Sequence, residues 1–196
     1  MAAVININCV LRDVADIADI LQELKKGKPD TKIVKAFSMD NWRWENQREI
    51  HDLSAADQLL RDQKIIVVNT GIYPFRDSGM YIEKSGDKYI YDFWINTEGF
   101  PELDSDDINA RNKRFLEKLQ NIAMQFVTNH ISVFEMLSIG NETVFKYRGN
   151  IEDTVRDTAG VFVWMFPQTL NIAIPMQGYG KRECDCVEIY SKGSSV

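Results

Sequence analysis

The chain has 196 residues, 44% hydrophobic and 27% charged, which suffices for a sizeable core in one α+β domain over residues 1–196. Its formal net charge of −6 argues against binding to nucleic acid or to an anionic membrane, since both need a basic surface. No stretch approaches the ~20 apolar residues of a membrane span, and MAAVININCVLRDVADI lacks the basic start and unbroken apolar run of a signal peptide. Cys9, Cys184 and Cys186 are therefore expected to be reduced thiols in a cytoplasmic protein.

Val4 to Leu11 alternates as VININCVL, with Ile5, Ile7, Cys9 and Leu11 on the face that a core would bury. A helix follows: Asp13 can cap it, Val14, Ile17, Ile20, Leu21 and Leu24 form its apolar stripe, and Gly27 can end it. Lys32 to Phe37 reads as a second strand. Ser54-Ala-Ala-Asp57 resembles a capping signal for a short helix that ends near Asp62, and KIIVVNT then reads as a buried strand.

Gly86-Asp87 suits a two-residue hairpin turn. Closing the hairpin there pairs Lys84 with Tyr89, Ile82 with Tyr91 and Met80 with Phe93, a face that is apolar except at the turn. A three-residue turn would instead set Met80 against Asp92 and put charge into the core. The opposite face then carries Tyr81, Glu83, Asp92 and Trp94. Beyond it lie Glu98, Glu102, Asp104, Asp106 and Asp107. Ser105, with Asp106 and Asp107 in the first turn, is the expected start of the longest helix, whose apolar side holds Ile108, Phe115, Leu119, Ile122 and Phe126.

After Ile131 the segments ISVFEML, TVFKYR, VFVWMF, LNIAIP and CVEIY read as strands, with a helical turn over Ile151–Asp157. The expected fold is a mixed, largely antiparallel sheet with helices packed on one face.

No catalytic signature is present: GxSxG, HExxH, a P-loop and a dinucleotide-binding glycine motif are all missing. Gly178-Tyr-Gly180-Lys fits a hairpin loop better than a phosphate cradle. His130 fits a helix C-terminus, whereas His51, beside Glu49 and Asp52, is the one plausible acid–base group. Cys184-Asp-Cys186, read as a strand, puts two thiols on one face, too few ligands for zinc, so no metal and no cofactor are expected. Trp42-Arg-Trp44, read as extended, points both indoles one way, and core packing is the expectation for both.

The stretch YDFWINTEGFPELDSDD (Tyr91–Asp107), with NWRW as a lesser support, gives an acidic α+β chain that resembles the immunity proteins of bacterial polymorphic toxin systems. The resemblance implies a protein that is not an enzyme and binds a cognate toxin, which it blocks at its active site or an exosite. A toxin with a basic cleft would be met by an acidic patch through charge complementarity. The expected partner surface is Tyr81, Asp92, Trp94, Glu98, Glu102, Asp104 and Asp107. Two other readings stand beside it: an enzyme that uses His51 and nearby carboxylates, and a structural homodimer or larger homo-oligomer that pairs its outer hairpin face with itself.

Overall fold

A computed structural model of the chain describes residues 4–27, 29–75, 77–103, 108–170 and 176–193. It contains one ten-stranded sheet in the order β3-β2-β4-β5-β6-β1-β7-β8-β10-β9. The strands are β1 (Val4–Leu11), β2 (Lys32–Met39), β3 (Arg48–Glu49), β4 (Ile65–Gly71), β5 (Ser78–Ser85), β6 (Lys88–Asn96), β7 (Phe134–Asn141), β8 (Val161–Pro167), β9 (Tyr179–Cys184) and β10 (Val187–Lys192). Every pairing among the described strands is antiparallel, so the mixed sheet expected from the sequence contains no parallel pair there.

The hairpin β5–β6 has the register that its alternation requires. Lys84 faces Tyr89, Ile82 faces Tyr91 and Met80 faces Phe93, and Gly86 turns at a φ of 64°. Met80, Ile82, Tyr91 and Phe93 are all buried in the main core with Ile5, Cys9 and Leu11 of β1. Helices α1 (Ile17–Gly27), α2 (Ala56–Arg61) and α3 (Lys113–Asn129) supply Ile17, Leu21, Leu60, Leu116 and Val127 to that same cluster. Helix α4 (Ile151–Asp157) instead sends Ile151 into a second cluster, with Val10, Met136, Tyr147, Trp164 and Phe166. A third, smaller cluster joins Phe37, Met39, Ile65 and Val67, with Tyr81 packed against it.

Several elements differ from their sequence expectation. Asp16, not Asp13, starts α1: its side chain accepts from Ala18 N and its carbonyl from Ile20 N. Asp52 caps the short turn that precedes α2, by accepting from Ser54 N. Helix α3 begins at Lys113, so Ser105, Asp106 and Asp107 do not form its first turn, and those three residues lie outside the described ones. Its buried stripe is Leu116, Leu119, Ala123 and Val127, with Phe115 and Phe126 partly buried beside it. TVFKYR is not a strand but an irregular segment that lays Tyr147 over the second cluster, and LNIAIP falls mostly on residues 171–175, outside the described ones. Asp185, at a φ of 52°, and Cys186 form the turn between β9 and β10, so the two cysteines do not share a strand face.

Tyr91 ties the sheet to the entry of α1. Its hydroxyl accepts from Ala15 N at 2.8 Å and donates to Ala15 O at 3.1 Å, in a buried site. Tyr91→Ala is expected to destabilise the fold by about 3–5 kcal/mol, as a buried aromatic truncation does. Tyr91→Phe should cost about 1–3 kcal/mol, because it strands the buried Ala15 N–H. Urea unfolding of both variants measures the two contributions separately.

Candidate functional site

One row of side chains crosses the whole sheet on the face opposite Tyr91. It runs Glu49, Phe37, Val67, Tyr81, Asp92, Asn8, Ser138, Trp164, Tyr190 and Lys181, one residue from each strand. Phe37, Val67 and Tyr81 belong to the third cluster, and Trp164 and Tyr190 to the second. Between them lies a polar strip. Asn8 Nδ2 donates to Thr143 Oγ1 at 3.0 Å and more weakly to Ser138 Oγ at 3.4 Å, and Asn6 Nδ2 donates to Asp92 Oδ1 at 3.0 Å.

Asp92 is the electrostatic anomaly of this strip. Burial pushes its carboxyl up to about 6, against the Asn6 hydrogen bond, which favours the charged form, and with the Glu83 charge adding to the rise. Tyr81, directly across the strand pair, has its phenol raised by burial and by Asp92. Asn8 is fully buried, and its Oδ1 accepts no hydrogen bond. Turning the amide over would let the Ser138 and Thr143 hydroxyls donate to Oδ1.

Trp94 lies flat over Gly79. A Cβ at Gly79 would stand 2.7 Å from Trp94 Cζ2 and 2.8 Å from the Val68 carbonyl oxygen, so only glycine leaves the indole its seat. Trp94 stacks near Tyr81, with centroids 6.1 Å apart and an interplanar angle of 27°. Trp42 meets Tyr81 edge-on at 5.4 Å, and its Nε1 donates to Glu83 Oε2 at 2.8 Å. Trp42, Tyr81 and Trp94 thus make one aromatic run along the outer side of the hairpin.

Trp42 and Trp44 correct the expectation of core packing: they remain 49% and 47% exposed. The physical reason is local. The segment is a turn, not a strand, with Trp44 at a φ of 64° and Asn46 at 54°. Hydrogen bonds brace it: Asp40 N to Glu45 O, Trp44 N to Asn41 O, Asn46 Nδ2 to Asp40 Oδ2 and Lys64 Nζ to Asp40 Oδ1. Trp44 leans on Phe37 at 5.7 Å, which roofs the third cluster without closing it.

The structure brings Tyr81, Asp92 and Trp94 together and adds Trp42 and Glu83 to them. Glu98 and Glu102 lie in the chain after β6. Their loop follows the far end of β6, and its Phe100 and Leu103 turn into the main core, with Phe100 against Phe75 at 5.0 Å. Asp104 and Asp107 lie outside the described residues. Trp42 was the missed member, and no periodicity in NWRW signals a turn that would carry it to Tyr81.

The chemical candidates are dispersed. His51 is exposed, and its neighbour Asp52 is engaged in the Ser54 cap. His130 closes α3 through its backbone N–H to Phe126 O and Val127 O, with its ring against Phe126 at 4.5 Å. Cys9 is buried, with its thiol pKa raised by burial. Among the described residues no group of three or more His, Cys, Asp and Glu side chains is arranged to hold a metal ion. No helix there is long and apolar enough to cross a membrane.

Asp92 gives the fold a pH signature. A carboxyl raised in the folded state imposes no penalty below its unfolded pKa and a full one above about 6, so stability falls as pH rises between the two. Asp92→Asn should stabilise the protein by about 3 kcal/mol at pH 8 and by almost nothing below pH ~4. Urea midpoints for both proteins across that range read the difference. Gly79→Ala should displace Trp94, seen as a moved indole 1H–15N signal, and lower the melting temperature.

The chain matches no protein-family model, no curated protein and no solved structure.

Proposed function

We propose that this chain is a non-catalytic, cytoplasmic protein-binding module, and that it acts as an immunity protein that captures and inhibits a cognate bacterial toxin. The observation that carries the binding reading is the pair of half-exposed tryptophans, Trp42 and Trp44, held in a braced turn beside Tyr81 and Trp94. Tryptophan and tyrosine dominate interface energetics, and a bulky residue at positive φ is a backbone cost that binding sites commonly carry. In this reading α1, α2 and α3 cover one face of the sheet. The aromatic end of the other face is left to the partner.

The acidic part of the reading is narrower than the sequence suggested. Asp92 and Glu83 belong to the aromatic run, whereas Glu98 and Glu102 sit on a loop pinned to the main core. Charge from that loop would act at longer range, on the rate of approach. The toxin assignment comes from the resemblance of YDFWINTEGFPELDSDD and from no feature of the site.

The test is rescue of bacterial growth against the product of the neighbouring reading frame, with capture of that product by the purified chain. Trp42→Ala with Trp44→Ala should abolish both while unfolding shifts by no more than about 1 kcal/mol, since each hot-spot truncation costs ~2 kcal/mol or more in binding. Glu102→Gln, Asp104→Asn and Asp107→Asn together should slow association and flatten its salt dependence without abolishing capture. Full rescue by the double tryptophan variant would place the binding face elsewhere.

A further inference from the structure

The aromatic run holds two carboxylates that no cation among the described residues pairs with. Glu83 and Asp92 stand on the same face of β5 and β6, and among the described residues neither forms an ion pair with Lys or Arg. Of the cations around the Trp42 turn, Lys64 binds Asp40 and Lys35 lies over Phe37, and neither Arg43 nor Arg48 forms an ion pair among the described residues. Among the described residues Glu83 accepts from the neutral Trp42 indole N–H and Asp92 from the neutral Asn6 amide.

Acceptors without cations, flanked by the π-faces of Trp42, Tyr81 and Trp94, are complementary to one kind of group. We infer that the partner seats an arginine side chain over the Trp42–Tyr81–Trp94 run, with its guanidinium directed to the carboxylates of Glu83 and Asp92. The inference rests on the protein-binding reading and names what that partner must present. A guanidinium fits because it is planar, stacks on aromatic faces and offers several N–H donors in a fixed fork. Two carboxylates can accept that fork, whereas an ammonium on a flexible stem gains less from stacked rings.

The experiment titrates the 15N-labelled full chain at pH 7.5 with Nα-acetyl-arginine amide, Nα-acetyl-lysine amide and the neutral Nα-acetyl-citrulline amide. Indole 1H–15N signals are the readout. The arginine compound should move the Trp42 and Trp94 signals saturably, with an affinity on the order of millimolar, and leave buried Trp164 still. The lysine compound should act more weakly and the citrulline compound should do nothing. Glu83→Gln with Asp92→Asn, folded by the same spectra, should abolish the response.

Equal responses to citrulline or lysine, or an unchanged response in the double amide, overturn the inference. So does no response at all. Failure here, with partner capture still lost in Trp42→Ala/Trp44→Ala, leaves the docking face standing. An arginine response with capture intact in that variant overturns the docking face instead.

Discussion

A strand sends successive side chains to opposite faces, so the register that seats Tyr91 beside Ala15 also commits Asp92 to the far side of the sheet. That coupling organises the far face. Asp92 faces Asn8 on β1, Asn8 faces Ser138 on β7, and a polar strip therefore runs across the sheet, largely buried on both sides at β1 and β7 and half-buried at Asp92 on β6. Such a strip has to find its hydrogen bonds inside the molecule. Thr143 comes down from the segment after β7 to supply one, and Asn6 supplies another. The same strip separates two apolar regions: one is roofed by Tyr147 and α4, and the other is only half-roofed by the tryptophan turn.

Where local rules and tertiary demands agreed, the sequence was a good guide. Gly86 permits the tight turn, the flanking alternation admits one charge-free register, and the hairpin forms as read. VININCVL and IEDTVRD likewise give β1 and α4 at their expected ends. The failures have specific causes. Ser105 followed by two aspartates imitates a helix start, yet α3 waits until Lys113, after turns braced by Asn109 and Asn112. TVFKYR alternates like a strand, but β7 already has β1 and β8 on its two sides, so the segment that leaves it has no open edge there to join.

For the candidate site, facing could be read and proximity could not. Register alone placed Tyr81, Asp92 and Trp94 on one side. Grouping them with Glu98 and Glu102 rested on nearness in sequence, and Phe100 and Leu103 of that stretch turn into the main core. Trp42 shows the converse. It is far from Tyr81 in the chain and in edge contact with it in space, brought there by two positive-φ residues that no hydrophobic pattern announces.

The distribution of tryptophan has a practical consequence. Trp164 is sealed in the second cluster and stacked on Phe166, while Trp42 and Trp44 reach solvent at the opposite end of the same sheet face. Intrinsic emission from this chain is therefore a two-component signal: a sheltered part insensitive to aqueous quenchers such as iodide, and an accessible part that iodide extinguishes. Whatever covers the tryptophan turn would protect the second component and spare the first. The molecule thus carries an unlabelled optical reporter of which end of its sheet is occupied.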